Sequence, residues 1–197
     1  FPMQHILPNM LHLVFERAVS MRGNNQQRAN RILLLIDGRS SYVDTQGLVP
    51  WKTLPVSFLE IKQIEVLKGP ASVIYGFNAF DGVINIITKD PRDMNGTTLQ
   101  AGAGEYGTVR TAAIHGGKAG DLGYRLSIGH DQQQQWRDRS SLAFRSDRVN
   151  GQMNYQLNNG GSVTLEGGVI DSNRDDFPSA DFVRSNAPYT LGYARAG

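Results

Sequence analysis

The sequence predicts an α+β chain, in which a small mixed α/β unit is followed, from about residue 93, by a run of antiparallel strands. Two observations carry that prediction. Up to about Arg92, short continuous apolar runs stand beside helix-like stretches, and beyond it the pattern switches to strict two-residue alternation. Composition agrees, because 40% hydrophobic and 19% charged residues are ordinary for a folded chain and wrong for long disorder.

The elements follow in order. Ile32–Ile36 is a continuous apolar run closed by Asp37-Gly38, a turn dipeptide, and reads as a strand buried on both faces. Residues 55–63 read as a helix, with Pro55 in the first turn, Ser57 as cap and Phe58, Ile61 and Ile64 at helical spacing. Ile64–Leu67 is a second strand, stopped by Gly69-Pro70. A helical turn over Ala71–Tyr75 leads through Gly76 and Gly82 into a third strand, Val83–Thr88.

Five alternating strands come next, over 97–104, 108–117, 122–136, 142–157 and 162–170. The turns at 118–121 and 158–161 are short, whereas 137–141 and everything from Asp171 onward are more polar loops. Tyr124 and Tyr155 fall near the short-turn ends, and Trp136 and Phe144 near the others. Phe144 has the opposite parity from Val149, Met153 and Tyr155, so the fourth strand either bulges or leaves its apolar environment before residue 148. On periodicity alone, a membrane barrel and a soluble sandwich both remain open.

Several function classes drop out. There are no cysteines, which excludes disulfides, thiolate zinc sites and thiol catalysis. A formal charge of +2 with no basic run gives no nucleic-acid surface. The longest apolar run is far short of the ~20 residues of a membrane helix, so a membrane role would need strands of ~9–11 residues. The opening Phe1-Pro2-Met3-Gln4-His5 carries no signal-peptide pattern.

The short motifs are weak. Gly102-Ala103-Gly104-Glu105-Tyr106-Gly107 fits a dinucleotide fingerprint, but no helix follows it, so a turn is predicted. Asp171, Asn173 and Asp175 copy the opening of an EF-hand loop, yet Asp176 replaces its glycine and Phe182 its glutamate. What survives is a weak calcium candidate on an acidic loop, with Asp171, Asp175, Asp176 and Asp181 as ligands. His5, His12, His115 and His130 lack metal-ligand spacing, and no nucleophile elbow or acid/base pair exists, so the chain is not read as an enzyme and no other cofactor is expected. Asn95-Gly96-Thr97 fits a glycosylation sequon but reads as the turn between the two halves.

One resemblance covers residues 7–90. Ile32-Leu-Leu-Leu-Ile-Asp-Gly-Arg39, Leu54-Pro55, Ile61-Lys-Gln-Ile-Glu-Val-Leu-Lys-Gly-Pro-Ala-Ser72, Tyr75-Gly76, Asn78-Ala79 and Gly82-Val-Ile-Asn-Ile-Ile-Thr-Lys89 stand in order and spacing. Upstream lie Leu7-Pro8-Asn9-Met10 and Ser20-Met21-Arg22-Gly23. This set closely resembles the plug signature of TonB-dependent outer-membrane receptors. Its structural positions here are Arg22, Gly23, Asp37, Gly38, Arg39, Glu65, Lys68, Gly69, Pro70, Tyr75, Gly76, Asn78, Gly82 and Asn85. Lys68, Asp81 and Asn9 depart from the usual Arg, Gly/Asn and Gly.

The resemblance implies an α+β plug domain over 1–92, followed over 93–197 by the first five or so strands of an incomplete transmembrane β-barrel, of about 22 strands in the family. It places the protein in the bacterial outer membrane, among lipid and lipopolysaccharide. It implies active uptake of a scarce nutrient complex, an iron–siderophore first, with haem and cobalamin behind it. The TonB box would precede residue 1 and roughly 17 strands would follow residue 197, so the chain alone would not transport. By chain order the 118–121 and 158–161 turns would be periplasmic. Two plug loops would meet the metal chelate: Asn24, Asn25, Gln26, Gln27 and Arg28, and the stretch holding Tyr42, Asp44 and Trp51. The alternatives are a receptor-like module that binds or signals without transport, and a soluble β-rich binding domain.

Overall fold

The computed structural model describes residues 31–41, 49, 51, 54–76, 78–134, 143–158, 160–176 and 185–197. They form two compact units: one holds Ile61–Thr88 with the described residues between 31 and 54, the other Pro55–Glu60 and the described residues from Lys89 on.

The first unit is a four-stranded sheet of β1 (Ile32–Ile36), β2 (Arg39–Ser40), β3 (Ile61–Lys68) and β4 (Gly82–Thr88), in the order β2-β1-β4-β3. β1 runs parallel to β4, and every one of its residues is buried, as its continuous apolar run requires. Leu33, Leu35, Ala71, Ala79 and Val83 form one core cluster. The Asp37-Gly38 turn has positive φ at both residues (48° and 77°), the geometry of the tight antiparallel turn joining β1 to β2.

The helix expected over 55–63 is not present. A 3-10 turn occupies Phe58–Glu60, and Ile61 opens β3, which runs to Lys68. Phe58, Ile61 and Ile64 are three residues apart, a spacing that periodicity alone does not assign. Pairing with β4 wins because Ile61, Ile64 and Val66 are β-branched and find partners at Thr88, Ile86 and Ile84. The short helix α1 (Ser72–Tyr75) is present, as expected.

The second unit is built on β5 (Gly96–Gly104), β6 (Thr108–Ala119), β7 (Leu122–Gln133), β8 (Phe144–Gln156), β9 (Ser162–Asp176) and β10 (Ser185–Ala196), each antiparallel to the next in sequence. The five expected strands are there, and β10 is a sixth. The segment from Asp171, expected to be loop, continues β9 to Asp176 and then supplies β10. The fingerprint-like glycines resolve as a turn: Gly102 and Gly104 lie in β5, and Tyr106 and Gly107 turn with φ of 60° and 65°.

The two faces of this sheet are inverted relative to a water-soluble sandwich. Leu126, Ile128, Val149, Met153, Leu165 and Val169 are each about half exposed, while Arg125, Ser127, Ser146, Arg148 and Asn150 are buried. The register brings one apolar row across all six strands: Leu99, Ala113, Ile128, Val149, Val169 and Gly192. On β7, β8 and β9 that face holds four successive alternate residues, for example Leu122, Tyr124, Leu126 and Ile128. At ~3.4 Å per residue and a tilt of ~40°, the six residue steps between the first and last of these cover roughly 16 Å of height, which fits within the ~25 Å apolar band of an outer-membrane barrel. The next row, His130, Asp147 and Asp171, is polar. A soluble sandwich would bury the apolar face, so that alternative is set aside.

β8 pairs continuously from Phe144 to Gln156 on both sides, without a bulge. Phe144 therefore belongs to the polar face, and the strand leaves the apolar band at Arg148, above which Asp147 and Arg145 occupy the other face. Tyr124 and Tyr155 lie near the short-turn ends, as expected. Trp136 lies outside the described residues.

Candidate functional site

The signature residues of the first unit assemble around β4. Asp37 Oδ1 accepts the Thr88 N–H (2.8 Å) and its Oδ2 accepts the Thr88 hydroxyl (2.7 Å), tying the β1–β2 turn to the end of β4. Asn85 accepts from the Gly38 N–H (3.4 Å) and donates to Glu65 (3.3 Å), which also accepts from Gln63 (2.8 Å). Gly69 and Gly76 have φ of 121° and 88°, so both are glycines for conformational reasons. The Gly69 N–H donates to the Asp81 carbonyl and the Asp81 N–H to that of Arg31 (2.8 Å), closing the segment that holds Pro70, Tyr75 and Asn78. Arg31 covers the Phe80 ring at 5.2 Å. Arg39 pairs with Ile36, and Lys68 with Gly82, in the strand ladders. These hydrogen bonds and ladder pairs tie the turns of this unit to its sheet.

The polar face of the second unit holds the more concentrated chemistry. Glu60, 2% exposed, sits at its centre. Its carboxylate accepts the Ser57 N–H (2.9 Å) and the Asn150 amide (2.9 and 3.2 Å), and faces Arg125 at 3.8 Å. Asn150 also donates to the Pro55 carbonyl, and Arg125 to that of Lys89 (2.6 Å). Arg148 donates to the Val56 carbonyl (3.1 Å) and pairs with Asp131, which lies 3.5 Å from Arg110 Nε. One carboxylate and three strand side chains thus bind the Pro55–Glu60 strap to β7 and β8. A buried charge is tolerable because each is met by hydrogen-bonding partners of opposite polarity.

A second strap follows β4. Asp90 caps the 3-10 turn Pro91–Asp93 by accepting the Arg92 N–H (2.9 Å), and Arg92 reaches Gln156. The side-chain hydrogen bond to Asp90 holds the Arg92 guanidinium above its ordinary pKa. Glycines on the sheet make room for this strap: a Cβ on Gly123 would stand 2.4 Å from Arg92 Cγ, and one on Gly116 would stand 2.9 Å from Met94 Cβ.

Of the expected chelate-facing residues, Asn24, Asn25, Gln26, Gln27, Arg28, Tyr42 and Asp44 lie outside the described residues, as do Arg22 and Gly23. Trp51 is described; its indole N–H is buried without a partner among the described residues. The acidic candidates Asp171, Asp175 and Asp176 stand on β9, not in a loop, and Asp171 accepts from the Thr190 hydroxyl (2.9 Å). Among the described residues no group of three or more acidic or histidine side chains could hold a metal. Sequence reasoning passed over Glu60, Arg125, Arg148 and Asn150. The available signal was parity, because the last three share the polar face of alternating strands.

Comparison with known proteins adds the following. Residues 15–83 match the model of the TonB-dependent Receptor Plug Domain. The chain is 29% identical over 126 residues to the vitamin B12 transporter BtuB of Vibrio cholerae, an alignment covering 59% of this chain and 20% of that protein. The chain thus spans about a fifth of that relative's length. Among solved structures it is similar to the ferric-catecholate import receptor Fiu of E. coli K12, with a TM-score of 0.64, 23% identity, and coverage of 85% of this chain and 23% of that one. It is also similar to the FrpB iron transporter of Neisseria meningitidis (F3-3 variant), with a TM-score of 0.67, 15% identity, and coverage of 85% and 30%. At these identities the structural likeness speaks for the fold.

Proposed function

We propose that this chain, a member of the TonB-dependent receptors of the bacterial outer membrane, is part of a receptor that actively imports a scarce metal chelate, an iron–siderophore, with energy delivered through TonB. The observation that carries the reading is a plug-type unit in one chain with a strand sheet whose apolar face is exposed and whose polar face is lined by Arg110, Arg125 and Arg148. Arg125 and Arg148 are buried and ion-paired, but the half-exposed Arg110 offers a cation to chelates whose metal is held by anionic oxygens, because charge complementarity raises capture rates. In this reading Asn24–Arg28 and the stretch with Tyr42, Asp44 and Trp51 meet the cargo, and Arg28→Gln and Trp51→Ala each weaken chelate binding.

A second reading, cobalamin uptake, is favoured by the 29%-identical relative, a vitamin B12 transporter. One experiment separates them. A strain lacking the receptor and one also lacking TonB are assayed for uptake of radio-iron chelates and of labelled cobalamin. Loss of chelate uptake in both strains supports the siderophore reading, and loss of cobalamin uptake alone replaces it. Uptake of neither, with binding retained, would point to a receptor that signals without transport.

A further inference from the structure

Next to the Glu60 cluster the polar face holds a partly enclosed cavity of about 130 Å³, lined by Ser57, Gln100, Arg110, Gly129, Asp131 and Arg148 among others. It shares Arg148, Asp131, Arg110 and Ser57 with the strap contacts described above, but those contacts leave some of its polar atoms unused, and three features of it point to a ligand.

The first is charge. Two guanidinium groups share one carboxylate, Asp131, with Arg110 Nε at 3.5 Å from one oxygen and Arg148 paired to the other. Among the described residues lining the cavity, that leaves one more positive charge than negative. The second is unmet hydrogen bonding. Arg148 is 7% exposed and Ser57 is 3% exposed, yet Arg148 Nε and Ser57 Oγ have no partner among the described residues. Buried donors of this kind are rare in native structures and call for an acceptor. The third is space. Gly129 presents no side chain there; a Cβ on it would stand 3.2 Å from Arg148 Cγ and 3.7 Å from its Nε. Ordered water would satisfy the hydrogen bonds, whereas an anion would satisfy them and also neutralise the excess cation, so water alone is one outcome of the test.

We infer that this cavity binds a single small oxyanionic group, a carboxylate or a sulfate- or phosphate-type anion, with Arg148, Arg110 and Ser57 as its donors. Guanidinium groups recognise such oxygens by charge-assisted hydrogen bonds. The Asp131 carboxylate keeps the net charge low and limits the site to one anionic group. The inference stands whichever cargo the receptor carries, so its failure and that of the transport reading are separate events.

The test uses crystals of the intact receptor carrying this sequence, soaked in selenate and read by anomalous scattering, with selenate affinity measured in detergent solution. The expected result is a selenium peak within hydrogen-bonding distance of Arg110, Arg148 and Ser57. Arg110→Gln, at a half-exposed residue, weakens selenate by about tenfold, the scale of one charge-assisted hydrogen bond. Gly129→Ala, which fills the cavity from below, also weakens it, while the folded barrel's heat-modifiable migration stays unchanged in both variants. Acetate competition identifies the source, since displacement of selenate assigns the site to carboxylates and persistence assigns it to tetrahedral anions. Only water in the cavity, or selenate binding indifferent to both substitutions, overturns the proposal.

Discussion

Replacing Glu60 by alanine tests the strap architecture most severely, since one carboxylate serves three donors. The Ser57 N–H, the Asn150 amide and the Arg125 guanidinium all lose it at once. Arg125 keeps the Lys89 carbonyl and Asn150 keeps that of Pro55, whereas the Ser57 N–H is left with no acceptor. Breaking a buried ion pair from one side costs about 3–5 kcal/mol. An orphaned buried N–H costs about 1–3 kcal/mol more, though coupled losses fall short of their sum. The expected loss is therefore on the order of 4 kcal/mol. The assay is denaturant unfolding of the intact receptor in detergent, followed by circular dichroism, for Glu60→Ala, Arg125→Met and the double variant. The double variant should recover about 2 kcal/mol relative to additivity, because it removes the uncompensated cation as well. A loss under about 1 kcal/mol for Glu60→Ala, or a strictly additive cycle, would refute the reasoning.

Three further outcomes are expected. Gly123→Ala drives a methyl into Arg92 and its backbone nitrogen (3.0 Å), so the Pro91–Asp93 strap must shift; a cost of about 1–3 kcal/mol and faster hydrogen exchange at the Arg92 amide should follow. Asp37→Ala removes both acceptors of Thr88, and exchange at the Thr88 amide should rise by about tenfold or more while β5–β10 amides are unaffected. Val149→Arg places a charge in the apolar row and should cost about 2–4 kcal/mol in folding into vesicles, whereas Arg145→Val, in the charged region beyond the row, should change little.

What could be read from the sequence depended on how local the cause was. β1 was legible because five buried aliphatics followed by Asp-Gly leave few other structures. β5 through β9 were legible because alternation is a backbone property of each strand by itself. β10 was not, since Pro188, Gly192 and alternating alanines blur its period, and proline at this position is tolerated on what is an edge strand of the described sheet. The helix expected at 55–63 failed for a similar reason. Glu60 answers to Asn150, 90 residues away, and that long-range partner outweighs local spacing. The same distance hid the site: Arg125, Arg148 and Asn150 looked like ordinary polar-face residues until the strap was seen to lie on them.

The central claim is that β5–β10 form a membrane wall with lipid on one face and a polar lumen on the other. Cysteine is absent from this chain, so single cysteines introduced along Ser146–Tyr155 can be spin-labelled one at a time in the intact receptor, reconstituted in vesicles after replacement of any cysteine elsewhere in it. Relaxation by a lipid-soluble and by an aqueous reagent then reports each position. Labels at Val149, Met153 and Tyr155 are expected to respond to the lipid-soluble reagent, and those at Arg148, Asn150 and Gln152 are not. Labels at Val149 and Met153 that respond to the aqueous reagent instead would contradict it.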